Sequence, residues 1–164
     1  MRILGIDPGT VIMGYGVIET EEDKISMVDC GVLKNPERSP IGERLSYFYG
    51  ELLKIISRYQ PDTVAVEQPF VAKNVRSALA IGRAQAVAML AAANKGLQVY
   101  EYTPTAIKQR VADYGASSKE QIQEMVRLQL ELSEVPQPSD AADALAVAIC
   151  HLREMHISSL LTEK

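Results

Sequence analysis

Apolar and polar positions along this chain change period several times, and each change marks a new element. Ile3, Leu4 and Ile6 form a short apolar run that stops at Asp7-Pro8-Gly9. Residues 10–19 read as a second strand after a tight return, and Lys24 to Lys34 as a third beyond the acidic turn at 21–23. Three strands this close in sequence predict an antiparallel meander. After a proline-containing break at 35–40, apolar residues fall at Ile41, Leu45, Phe48, Leu52, Ile55 and Tyr59, which is the helical period. Pro61 ends that helix. Thr63-Val-Ala-Val-Glu67 is a short buried strand, and its position after a helix predicts parallel pairing with the first strand.

Asn74 is placed to cap a helix reaching about Asn94 that is rich in small residues, with Gly96 closing it. A fifth strand covers 97–102. Thr103-Pro104 starts a short helix, and Ser117 with Glu120 suggests a capping box for another through Leu130. Pro136 and Pro138 break the chain before a last helix from near Ser139 to about Met155. The expected architecture is α/β: a five-stranded mixed sheet, strands 1–3 antiparallel and strands 1, 4 and 5 parallel, flanked by helices. One domain over 1–156 with a C-terminal tail at 157–164 fits the chain length.

Composition narrows the function classes. The apolar run at 84–93 is too short for a membrane span, so no membrane contact is expected. The N-terminus goes directly into a strand without the segments of a secretion signal. Cys30 and Cys150 are isolated, without metal-ligand spacing, which fits reduced thiols in the cytoplasm. The formal net charge of −4 runs against a nucleic-acid partner, which usually selects a basic domain. A DNA-binding reading therefore needs a local basic cluster.

Candidate chemistry comes from the acids. Asp7 and Glu67 end two strands expected to be parallel neighbours, at the sheet edge where α/β proteins collect their chemistry. Asp140 and Asp143 are three apart in the last helix and share one face with Ala144, Val147 and Cys150. An Asp in a first helical turn needs no more explanation than the macrodipole. Asp143 is less easily dismissed, because it lies on the apolar side. Clustered carboxylates raise one another's pKa unless a cation neutralises them. Oxygen ligands without His or Cys select Mg²⁺, with Mn²⁺ as a substitute. Such a site suits metal-assisted hydrolysis of a phosphodiester.

Four segments then carry a resemblance: Ile6-Asp-Pro-Gly-Thr10, Val66-Glu-Gln-Pro-Phe70, Ala72-Lys-Asn-Val-Arg-Ser-Ala-Leu79 and Ser139-Asp-Ala-Ala-Asp-Ala-Leu145. In order and spacing the chain resembles the RuvC family of bacterial Holliday junction resolvases over nearly its whole length. The resemblance implies a ribonuclease H-like fold, a homodimer, Mg²⁺, and paired symmetric nicks in four-way junction DNA. It makes Asp7, Glu67, Asp140 and Asp143 the catalytic, metal-binding acids. It assigns Phe70 to bases at the junction centre, where stacking contributes about 1–3 kcal/mol per base. Lys73, Asn74, Arg76, Lys108 and Lys119 become DNA-binding residues, with Arg83 and Arg110 nearby, and together these basic residues answer the net-charge objection. The small-residue helix becomes the dimer contact, and the RuvA–RuvB branch-migration complex a partner.

Three other classes share parts of this pattern. Asp7-Pro-Gly-Thr10 also resembles the phosphate-binding turn of actin-like ATPases and sugar kinases, whose duplicated fold needs a longer chain. A ribosomal-RNA-processing nuclease would share the acids but not the loop through Phe70 and Lys73. A non-catalytic junction-binding module has no need of all four acids.

Overall fold

The computed structural model describes residues 1–22, 24–35, 38–69, 74–115 and 117–162. Strands β1 (Arg2–Asp7), β2 (Ile12–Glu21) and β3 (Lys24–Lys34) precede helix α1 (Ile41–Tyr59) and strand β4 (Thr63–Glu67). Helix α2 (Val75–Asn94), strand β5 (Gln98–Tyr102) and helices α3 (Pro104–Ala112), α4 (Lys119–Gln129) and α5 (Ser139–Thr162) complete the chain. The sheet order is β3-β2-β1-β4-β5. β1 runs antiparallel to β2, and β2 to β3. β1 and β4 are parallel, as are β4 and β5. This is the expected mixed sheet.

Side chains alternate across a strand, so each face of the sheet takes its own set of helices. Leu4, Ile6, Met13, Val17, Val64 and Val66 pack with Phe48, Leu52, Ile55 and Ile56 of α1 and Ala84, Ala88, Ala91 and Ala92 of α2. Ile3, Ile18 and Ala65 face the other way, onto α3, α4 and α5. Helix α5 forms the floor of that second core: ten of its residues, among them Ala144, Leu145, Val147 and Ile149, are buried. By length and composition α5 is apolar enough to cross a membrane. It is not a continuous apolar run, since Asp140, Asp143, Arg153 and Glu154 interrupt it. In the fold its apolar face is taken up by the sheet.

The seat of α5 is made by missing side chains. A Cβ on Gly5 would lie 2.1 Å from the Ala144 carbonyl oxygen, and one on Gly14 would lie 2.0 Å from the Asp140 carbonyl oxygen. A Cβ on Gly16 would run into Leu145. The helix backbone therefore rests directly on β1 and β2, with its N-terminal turn over Gly14.

Most caps follow the expected chemistry. The Asn74 side chain accepts from Ser77 N, and Thr103 caps α3 with Pro104 in its first turn. Gly96 has φ 73° just past α2. Two boundaries differ. The capping box of α4 is Ser118 with Gln121, not Ser117 with Glu120. The Ser117 hydroxyl instead donates to the Tyr114 carbonyl in the preceding turn, which leaves its neighbour to cap. Helix α5 continues to Thr162, well past Met155, because Gly, Pro and cap signals are absent between those residues.

Candidate active site

The parallel register of β1 and β4 places Ile6 opposite Val66, so the next residues, Asp7 and Glu67, leave the sheet side by side. The chain cannot continue as strand past Asp7, because Pro8 and Gly9 turn it back toward β2. A Cβ on Gly9 would lie 2.1 Å from the Ile12 carbonyl oxygen, so this return requires glycine. Arg44 of α1 fixes the turn from outside: its guanidinium donates to the Thr10 carbonyl at 3.2 Å.

Helix α5 brings the other two acids. With its first turn over Gly14, which pairs with Asp7 across the β1–β2 ladder, Asp140 and Asp143 reach the same mouth. Asp7, Asp140 and Asp143 each offer a carboxylate oxygen, and these lie within 4.8 Å of one another. Glu67 joins them from the adjoining strand end, close enough that the Asp7 and Glu67 carboxyls act on each other's protonation. All four line a cleft of about 380 Å³ with Lys108, Lys119 and an apolar wall of Ile107, Ile122 and Ala146. Asp7 and Glu67 also border a second cleft of about 230 Å³ that leads past Gln68 and Pro69 to Ile81 of α2.

Electrostatics in this mouth are those of crowded acids. Burial, followed by the charges of Glu67, Asp143 and Asp140, pushes the Asp7 carboxyl up to about 8. Glu67 is raised as well, chiefly by burial; the hydrogen bond from Asp7 and the ammonium groups of Lys119 and Lys108 pull the other way. Lys119 is raised, first by its hydrogen bond to Asp143, at 2.7 Å from Oδ2. Among the described residues, the group that could hold a metal contains carboxylate oxygens and neither nitrogen nor sulfur. Cys150 and His151 are buried in α5, and the His151 ring nitrogens lie within hydrogen-bond distance of the Tyr102 and Thr63 hydroxyls. Burial pushes that imidazole down to about 4.

The expected basic residues divide. Lys108 and Lys119 line the acid cleft. Asn74 and Arg76 stand exposed at the start of α2, where the Asn74 side-chain oxygen is occupied as the cap. Phe70 and Lys73 lie outside the described residues. Arg110 corrects an expectation: it does not join the carboxylate side but pairs with Glu154 of α5 and borders a separate cavity with Arg153 and His156. Two positions along a helix turn a side chain by about 200°, so Lys108 and Arg110 of α3 cannot share a face.

Three contributors were not singled out in the sequence. Gly14 seats α5, Arg44 braces the turn after Asp7, and Gln123 of α4 donates to Asp143 Oδ1 at 3.2 Å. Gln123 had a signal available, since it lies one helical turn after Lys119 on the same face. Gly14 and Arg44 had none, because their partners are remote in sequence.

A three-stranded meander continued by two parallel strands, with acids gathered at the ends of β1 and β4 and the start of α5, defines a nuclease of the ribonuclease H-like class. The family model for crossover junction endodeoxyribonuclease RuvC matches residues 3–151. The chain belongs to that family. A crossover junction endodeoxyribonuclease RuvC from Dehalococcoides mccartyi is 59% identical, over 99% of this chain and 98% of its own length. Its counterpart in Chloroflexus aggregans is 57% identical over 92% of both chains. The structure of Thermus thermophilus RuvC in complex with Holliday junction substrate superposes with a TM-score of 0.90 at 34% identity, covering 96% of each chain.

Proposed function

We propose that this protein resolves four-way DNA junctions by paired symmetric nicks, through Mg²⁺-dependent hydrolysis of phosphodiesters, in homologous recombination and DNA repair. The observation that carries the reading is the convergence of Asp7, Glu67, Asp140 and Asp143 on one cleft that also presents Lys108 and Lys119. The donor set fits a hard divalent cation, being all oxygen. The raised carboxyl of Asp7 supports the same reading, because acids this close repel one another without a counter-charge. Asp7, Glu67, Asp140 and Asp143 would hold Mg²⁺, or Mn²⁺ in its place. Bound there, the cation supplies Lewis acidity toward phosphate oxygens and makes water a better nucleophile.

The chain's own groups set up the rest. Lys108 and Lys119 offset the charge of an incoming phosphodiester at the rim of the cleft. Ile107, Ile122 and Ala146 present an apolar wall that limits water around the acids. Asp7 and Glu67 are both held up by burial, so the negative charge they would carry as ligands is one that a divalent cation held there would balance.

Recognition of the junction falls to the segment after Glu67. Phe70 stacks on exposed bases, and Lys73, Asn74 and Arg76 contact phosphates, in line with the family resemblance. The protein acts as a homodimer, since two nicks on opposed strands need two sites related by a two-fold axis. An apolar stripe on α2 supports this: Val75, Leu79 and Leu90 are 62%, 65% and 53% exposed, with Ala86 between them. Residues 1–156 form the nuclease unit, and 157–164 are its C-terminal tail. Family membership supports action in the cytoplasm beside the RuvA–RuvB branch-migration complex.

The test is incubation with a labelled four-way junction and a matching linear duplex, with and without Mg²⁺. Symmetric nicks in the junction alone, only with metal, are expected. Junction binding without cleavage under any divalent metal would make the protein a recognition module. Equal action on both DNAs would move it toward the RNA-processing nucleases.

A further inference from the structure

Helix α4 offers two donors to a single carboxylate. Lys119 Nζ lies 2.7 Å from Asp143 Oδ2, and Gln123 Nε2 donates to Asp143 Oδ1 at 3.2 Å. The two residues are one turn apart on the helix, so both reach the same side chain. The helix that carries them is firmly placed. Its first turn is closed by the Ser118–Gln121 capping box, and Ile122 and Val126 are buried in the core shared with α5. The two donors differ in exposure and in charge. The Lys119 side chain is 54% exposed and that of Asp143 19%, while Gln123 is partly buried and neutral.

We infer that Gln123 is a positioning residue that holds Asp143 in its ligating orientation while Lys119 is engaged by DNA. The inference rests on the metal-dependent reading above. A phosphate entering the cleft competes with Asp143 for the Lys119 ammonium, since both are anions and the ammonium sits at the rim. A neutral carboxamide is not drawn toward phosphate in this way. Gln123 therefore keeps one oxygen of Asp143 fixed and leaves its negative charge in place for a cation. A cationic residue there would orient the carboxylate equally well but cancel the charge that attracts the metal. Partners of this kind behind a metal ligand commonly set both its rotamer and its affinity.

The experiment compares the full-length wild-type protein, Gln123→Met and Asp143→Asn for Mn²⁺ binding without DNA, by calorimetry and electron paramagnetic resonance. Junction binding in EDTA and the Mg²⁺ concentration for half-maximal single-turnover cleavage complete the set. Gln123→Met should weaken Mn²⁺ binding about tenfold and raise the Mg²⁺ requirement by a similar factor. Junction affinity in EDTA should stay unchanged, and excess Mg²⁺ should restore the cleavage rate, which a general loss of structure would not permit. Should Gln123→Met fail to fold, Gln123→Asn is the second variant: it keeps the amide but is too short to reach Oδ1, and must give the same shift. Metal affinity within about twofold of wild type in a folded variant, with Asp143→Asn strongly impaired, overturns the role of Gln123 and leaves the metal site standing. Wild-type Mn²⁺ binding by Asp143→Asn instead overturns the metal reading itself, and this inference with it.

Discussion

Helices α2 and α5 are both rich in small residues, yet they behave in opposite ways. On α5 the small side chains meet a sheet surface from which side chains have been removed at Gly5, Gly14 and Gly16, and the helix backbone lies directly on the strands. On α2, Ala84, Ala88, Ala91 and Ala92 are buried, but Leu79 and Leu90 stand out on the opposite side, and a Cβ on Gly82 would meet nothing within 4 Å. Small residues thus mean close packing only where the facing element is also stripped. The consequence divides the molecule. The α5 side carries the clustered acids, because a helix pressed onto β1 and β2 sets Asp140 and Asp143 beside Asp7. The α2 side carries an apolar stripe that is exposed among the described residues.

Substitutions on the two sides should therefore separate catalysis from assembly. The largest effect is expected for Asp7→Asn: junction cleavage should fall about 10²–10³-fold or more, the scale of losing one preorganised electrostatic group. Junction binding and dimer formation should persist. Cleavage at the wild-type rate, followed under single-turnover conditions, would remove Asp7 from the site.

Gly14→Ala comes next, because its methyl group must push the first turn of α5 off β2. A loss of about 1–3 kcal/mol in stability is expected from the overpacking, together with weakened metal binding as Asp140 moves. Denaturant unfolding and metal titration measure both. An unchanged metal affinity would mean that the seat of α5 is not what sets the acids in place.

On the other helix, Leu79→Glu should leave metal affinity and monomer stability near wild type while weakening the dimer by about 2 kcal/mol or more. Analytical ultracentrifugation reads the association directly. A dimer of undiminished strength would move the interface away from α2.

The smallest effect is in pH dependence. The Asp7 carboxyl is raised from 3.8 to about 8 in the fold, so between those values the folded protein binds more protons than the unfolded one. Stability of the metal-free protein should therefore decline as pH rises through that window. Asp7→Asn should flatten the slope, and saturating Mg²⁺ should reverse it. A metal-free stability that climbs across the same range, measured by urea titration, would contradict the crowded-acid description.

Much of this was legible before any coordinates. The strands at 24–34 and 63–67 have the boundaries that alternation and apolar runs predict, because those patterns are local and each residue reports its own face. Asp7 and Glu67 were expected at adjoining strand ends from the helix between them, and the register of β1 and β4 puts them there. Failures came where a choice depended on a contact. Ser117 and Ser118 are equivalent cap candidates in sequence, and the hydrogen bond of Ser117 to Tyr114 decides between them. Arg110 is one more cation by sequence, but the placement of α3 pairs it with Glu154.

The order of elements, their types and the acids that end them were determined by the sequence alone, through periodicity, turn residues and caps that act over a few positions. Only the tertiary structure decided which partners those residues found: Gly14 beneath Asp140, Arg44 at Thr10, Gln123 and Lys119 on the two oxygens of Asp143. These are meetings between segments far apart in the chain, and no local pattern encodes them. They arise because burying both faces of one sheet leaves α5 and α4 few other places to lie.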